Sequence, residues 1–128
     1  MSQRAGGYSP AYIACKGGIE SLTYELAVLY GPKSIRVIGV SPGSVETSLA
    51  RDYKDDDGNN ISDKLRGRMD ENIPLQRTCE PAEIANVCYW LSSDEASYIT
   101  GTCITVDGGF QRNFNSYNTK RLQYPKEF

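Results

Sequence analysis

Two short apolar runs limit what this chain can fold into. Residues 34–40 read Ser-Ile-Arg-Val-Ile-Gly-Val, and after the opening serine they are β-branched apart from Arg36 and Gly39. A run without polar alternation is a strand buried on both faces, the habit of parallel sheets. A second run, Thr-Cys-Ile-Thr-Val at 102–106, is the last strand pattern before the turn Asp107-Gly108-Gly109. Helical patterns separate the two, so the expected class is α/β with parallel strands. Two strands alone are marginal in water, and strands buried on both faces need neighbours on each side.

The longest helical pattern covers residues 10–30, where Ile19, Leu22, Leu26 and Leu29 recur at three- and four-residue intervals while Glu20 and Glu25 lie off the stripe. Gly31 and Pro32 should end it, the first as a C-cap and the second because it cannot continue a helix. Gly17 and Gly18 each cost about 1 kcal/mol relative to alanine, which suggests a close approach by a cofactor, a strand or another subunit. Pro81 opens a second helix, to residue 92, with the stripe Ile84, Val87, Cys88 and Leu91; Tyr89 and Trp90 are expected to pack on it. Residues 62–72 read as a short helix, and 51–63 as an exposed acidic loop. Asp55, Asp56 and Asp57 lack the spaced ligands of a calcium loop and read as a solvated turn. The tail, 110–128, shows no period and reads as a disordered end or an arm over a neighbouring subunit.

Composition narrows the function. The chain has 128 residues, within the range of one domain, and a formal net charge of −2, so no basic bias points to nucleic acid. No apolar run approaches a membrane span, and the N-terminus lacks the apolar core of a secretory signal, which places the protein in the cytoplasm. With no histidine, the Ser-His-Asp and Cys-His nucleophile systems and the usual zinc sets are excluded together, and no metal site is expected. Cys15, Cys79, Cys88 and Cys103 form no Cys-x-x-Cys pair and read as buried or half-buried free thiols.

Chemistry is concentrated in Tyr-Ile-Ala-Cys-Lys at 12–16. Four residues apart on a helix, Tyr12 and Lys16 share one face, a turn apart. An ammonium held beside a phenol stabilises the phenolate, so the pair is a candidate acid/base device. Alone, such a spacing is an ordinary solvated helix pair. Gly39-Val-Ser-Pro-Gly43 follows a strand but makes a poor phosphate loop, because Pro42 removes an N–H where donors are wanted and Val45 stands where a glycine is needed. On its own, Pro42-Gly43 is a strand-ending turn.

The order of these motifs resembles the C-terminal half of the short-chain dehydrogenase/reductase family: Tyr12-x-x-x-Lys16, the strand 34–40, Ser41-Pro-Gly-Ser-Val-Glu-Thr47, Glu80-Pro-Ala-Glu-Ile84, Asp94 to Gly101, and Val106-Asp-Gly-Gly109. The resemblance implies a partial Rossmann-like fold, the end of a doubly wound parallel sheet, over one partial domain, 1–128, with a variable substrate-covering region at about 48–75 and the tail at 110–128. It implies an NAD- or NADP-dependent hydride transfer to or from a carbonyl or alcohol carbon of a small molecule. Tyr12 is then the acid/base, and Lys16 assists it and binds the nicotinamide ribose. Pro42, Gly43, Val45 and Thr47 then run along the nicotinamide end of the cofactor. The family's glycine-rich loop and catalytic serine precede the tyrosine, and only eleven residues stand before Tyr12 here. The expectation is therefore a chain without its dinucleotide-binding half, inactive alone, whose apolar helix faces seek a complementing half or a second copy. The competing reading is a non-catalytic remnant acting as an oligomerisation or interaction module.

Overall fold

The computed structural model describes residues 9–47 and 53–128. Helix α1 spans Pro10–Tyr30, strand β1 Ile38–Pro42, α2 Ser62–Asp70, α3 Pro81–Ser92, β2 Thr102–Val106 and α4 Tyr117–Gln123. Strands β1 and β2 form a two-stranded parallel sheet. Gly39 lies against Cys103 and Gly43 against Asp107 at the same sequence offset, so the two strands run in one direction. The chain divides into two compact units, residues up to 41 with 85–106, and 42–84 with 107–128.

In the first unit α1 packs on β2 through small residues. Its buried positions are Thr23 and Ala27, and a side chain added at Gly101 would meet the Ala27 Cβ at 3.3 Å. Ile19, Leu22 and Leu29 of the apolar stripe stay more than half exposed, and Val28 is 76% exposed. The apolar face that the sequence marks thus finds no cover within the described residues. A Cβ at Gly17 or Gly18 would meet nothing, so no part of the described chain makes the close approach those glycines suggest.

Helix α1 ends at Tyr30 with Gly31 as its C-cap, as expected, but without the left-handed conformation usual for a glycine there. Gly31 stays right-handed (φ −52°), the chain tightens into a 3₁₀ turn at Gly31–Lys33, and Ser34 takes the left-handed position (φ 60°). Without a Cβ, Gly31 avoids the clash that Pro32 imposes on its predecessor, so the helical path persists one step further. Strand β1 consequently begins at Ile38, not 34, and runs on through Pro42. Val37 donates its N–H to the Thr100 hydroxyl (3.0 Å) and accepts from the Gly101 N–H (2.9 Å), bonds that precede the ladder.

Arg36, the one charge in that run, closes α3. Its guanidinium donates to the carbonyls of Leu91 (2.7 Å), Ser93 (3.1 Å) and Ile99 (3.4 Å). A cation on the last carbonyls of a helix both satisfies them and complements the helix dipole. On α3 Leu91 is buried, but Tyr89 and Trp90, expected to pack, are exposed at 81% and 42%. Their positions fall outside the stripe that Leu91 ends. The four cysteines are free; Cys15 and Cys88 are exposed, contrary to expectation, and Cys79 and Cys103 half-buried.

The second unit is organised by polar anchors. Asp107 accepts from the N–H groups of Gly109 (2.8 Å) and Gln111 (2.9 Å), while Gly108 and Gly109 adopt φ of 62° and 87°. A side chain at Gly108 would strike Ile73, which is buried. The acidic loop closes on Asp55, which the Asn59 backbone N–H (2.8 Å), the Asn59 amide and the Asp57 N–H hold below the usual carboxylate range. Among the described residues no acidic cluster is arranged to hold a metal. The tail, which has no sequence period, carries α4, with Ser116 as N-cap accepting from the Thr119 N–H (3.3 Å). No described helix is long and apolar enough to cross a membrane.

Candidate active site

Helix α1 carries Tyr12 and Lys16 on one face, with the Lys16 Nζ 5.4 Å from the centre of the Tyr12 ring. Tyr12 is 42% exposed, open to a ligand rather than sealed in a core. The same helix offers an internal contrast. Tyr24 donates its hydroxyl to Glu20 at 2.9 Å, and that bond pushes its titration up to about 12. An anion one turn away holds the proton on the phenol. Of these two tyrosines, Tyr24 has an anion one turn away and Tyr12 a cation.

Pro42, Gly43, Val45 and Thr47 belong to the second unit's segment. Pro42 ends β1, and Gly43 packs so tightly on Asp107 that a Cβ there would come within 2.8 Å of its Cα. Val45 forms an isolated parallel bridge with Cys79. The bridge uses the Ser44 carbonyl, which accepts from the Cys79 N–H, and the Glu46 N–H, which donates to the Cys79 carbonyl, both at 2.9 Å. In a parallel bridge of this form the central residue's own N–H and C=O point the other way. Val45 therefore directs a donor and an acceptor side by side away from Cys79, the pattern that matches a carboxamide.

Val45 and Thr47 line a cleft of about 470 Å³ together with Tyr53, Ser62, Asp63 and Arg66. Its wall from α2 also includes Leu65 and Met69. Arg66 donates to Glu46 (3.3 Å) and Asp63 (2.6 Å), tying α2 to the segment that carries Val45. Pro42 and Gly43 do not line this cleft; their part is to shape the turn that leads into it. The size is that of a small-molecule site.

Sequence reasoning missed three groups that build this region. Arg77 pairs with Glu83 through two bonds of 2.7 Å, and Glu83 also accepts from the Glu80 N–H (2.9 Å), so the pair fixes the start of α3 just after the Val45 bridge. The Arg77 guanidinium draws the Glu83 carboxyl down to about 2, and Glu83 holds Arg77 above its usual range. Arg66 sat inside a helix pattern with nothing to mark its partners. Asn113 is buried within a tail that reads as featureless. Only the Glu80-Pro-Ala-Glu83 spacing carried a local signal, that of a capping glutamate.

The sequence model of a family described as enoyl-(acyl carrier protein) reductase matches residues 1–111. The uncharacterized oxidoreductase YxbG of Bacillus subtilis (strain 168) is 39% identical over 110 residues, which make up 85% of this chain and 40% of the relative. A short chain dehydrogenase family protein from Francisella tularensis subsp. tularensis SCHU S4 superposes with a TM-score of 0.77 at 34% identity, covering 85% of this chain and 46% of the other. 4-Hydroxyisoleucine dehydrogenase complexed with NADH gives a TM-score of 0.77 at 31% identity, covering 88% and 44%. The chain belongs to the short-chain dehydrogenase/reductase family of oxidoreductases and has a partial Rossmann-like fold. It spans less than half the length of these three relatives.

Proposed function

We propose that this chain carries the proton-transfer and nicotinamide-facing part of an NAD- or NADP-dependent dehydrogenase or reductase acting on a small carbonyl or alcohol. The observation that carries the reading is the Tyr12–Lys16 pair, with the ammonium 5.4 Å from the phenol ring on an open helix face. The relative crystallised with NADH supports a nicotinamide dinucleotide as cofactor. The outward-facing amide of Val45 suits a carboxamide, and Thr47 lies beside it in the cleft. When bound, the nicotinamide supplies or accepts the hydride.

The chain's own residues handle the proton and the orientation. Tyr12 gives its phenolic proton to the substrate oxygen in reduction and takes it back in oxidation. Lys16 favours the phenolate electrostatically and offers N–H donors to a ribose hydroxyl. Val45 fixes the carboxamide through its backbone pair, with Thr47 close by, while Pro42 and Gly43 set the turn that aims them. Residues of the 48–75 region, from Tyr53 to Met69 among those described, cover the substrate. We place the reaction in the cytoplasm, within one partial domain whose exposed α1 stripe is covered by the rest of an enzyme or by a second copy.

The test joins this chain to the dinucleotide-binding half of a relative and assays NADH- and NADPH-linked reduction of small ketones. Turnover is expected in the joined protein and not in the 128 residues alone, because a proton donor cannot act where no hydride is positioned. Lys16→Met should weaken cofactor binding as well as turnover. If no joined protein turns over while the chain self-associates through α1, the interaction-module reading takes its place.

A further inference from the structure

Helix α2 forms one wall of the cleft and is tied to it by Arg66 on Glu46 (3.3 Å), by the Tyr53 N–H on the Ser62 hydroxyl (2.9 Å) and by the Thr78 hydroxyl on Asp70 (2.8 Å). It has nine residues, no side-chain N-cap and no buried residue. A helix that short is marginal by itself and must be held from outside. Its C-terminal end is held by the tail. The Tyr117 N–H donates to the Glu71 carbonyl (2.9 Å), and the Asn113 amide donates to the Asn72 carbonyl (2.7 Å). Arg121 reaches Gln76 at 2.5 Å.

Asn113 is in turn fixed by Lys120, whose ammonium donates to the Asn113 Oδ1 at 2.6 Å. The same ammonium lies 4.4 Å from the centre of the Tyr117 ring and 5.4 Å from that of Phe128. The two rings meet edge to face at 5.6 Å. A cation above aromatic faces and on a buried acceptor is a directional, charge-assisted contact. It converts a featureless tail into a brace.

We infer that Lys120 is a positioning residue: through Asn113 it fastens the tail to the end of α2 and so holds the α2 wall of the substrate cleft. This rests on the reading of the cleft given under the proposed function. Lys120 does not line the cleft and acts through Asn113 on the Asn72 carbonyl, just past the end of α2.

Two arms test it. Hydrogen exchange on the full 128-residue chain should speed up about tenfold at the amides of α2 in Lys120→Met, while those of β2 stay unchanged. Lys120→Arg, which keeps the cation and a donor, should retain most of the protection. Phe128→Ala, which leaves Lys120 and Asn113 intact, should move the same amides by about threefold, and it stands in if Lys120→Met does not fold. In the chain joined to a dinucleotide-binding half, Lys120→Met should raise KM about tenfold with kcat nearly constant, and Lys120→Arg should restore it. Unchanged α2 exchange in both Lys120→Met and Phe128→Ala overturns the brace, and so does an increase spread equally over β2. An unmoved KM with a loosened α2 overturns the link to the cleft. An inactive joined protein counts against the proposed function, and the exchange arm then decides the brace by itself.

Discussion

The two halves of α1 use the same residue types for opposite ends. In the first, Tyr12 sits beside Lys16 on an open face, and Gly17 and Gly18 present bare backbone with nothing against it. In the second, Tyr24 is tied to Glu20, and Thr23 and Ala27 are buried against the sheet side, with the Thr23 hydroxyl donating to the Ile19 carbonyl at 2.9 Å. The C-terminal half is held at Thr23 and Ala27 alone, and the bare backbone of the N-terminal half meets nothing among the described residues. A helix can therefore pack along one part of its length and stay open along another, the division being set by which neighbours it meets.

The largest effect should separate the two tyrosines. In the joined, active protein Tyr12→Phe should lower kcat by about 100-fold or more, the usual scale of a lost acid/base group, while Tyr24→Phe leaves it unchanged. Equal rates for Tyr12→Phe and the parent would break the comparison and remove the proton-transfer role.

Next in size are the glycines. Gly39→Ala would drive a Cβ into the Cys103 sulfur across the sheet and should cost about 1–3 kcal/mol in urea unfolding. Gly17→Ala, in open space, should instead stabilise the 128-residue chain by up to about 1 kcal/mol through helix propensity. Gly17→Ala destabilising a joined protein, but not this chain, would sharpen the comparison by locating what meets the first half of α1.

Smaller still is the titration of Tyr24. Followed by its ultraviolet absorbance, it should ionise near 12, and Glu20→Gln should bring it down toward 10.0. Because the folded value lies above the unfolded one, this contribution to stability is complete below pH 10 and fades as pH rises toward 12. The smallest effect is the mirror case, an acid beside a cation. Glu83 should titrate near 2 and move up toward 4.5 in Arg77→Ala, read by NMR. Its folded value is depressed, so its stabilisation is present above 4.5 and is lost as pH falls toward 2. Screening at this exposed pair keeps the effect on stability slight. A downward shift for Tyr24 or an upward one for Glu83 would break the rule that the neighbour's sign sets the direction.

Much of the first unit was legible in order and in kind. Apolar periodicity and Pro81 located α1 and α3 to the residue, the run 102–106 matched β2, and its parallel sense followed from the resemblance in motif order. The start of β1 was not legible, because Arg36 and Val37 look like strand until Leu91, Ser93 and Thr100 arrive from elsewhere in the chain to take their hydrogen bonds. The tail hid α4 for a related reason. Seven residues with a single aliphatic one, Leu122, and no apolar stripe form a helix here because Ser116 caps it and Lys120 finds Asn113. Of the candidate site, the face shared by Tyr12 and Lys16 was readable from spacing, whereas the cleft that Val45 and Thr47 line depends on Arg66 meeting Glu46 over a gap no local pattern spans.

What the sequence by itself determined is whatever depends on near neighbours. The phenol and the ammonium share a face because a helix repeats every 3.6 residues, and the two apolar runs become strands, half-buried at most, because they lack polar alternation. The tertiary structure alone decided which face of α1 is covered, where β1 begins, and that a tail holds the wall of a cleft. The first turns on small residues meeting across the fold, and the other two on single long-range contacts in which Arg36 or Lys120 selects a few carbonyl oxygens by distance and direction; such contacts leave no period along the chain for a reader to find.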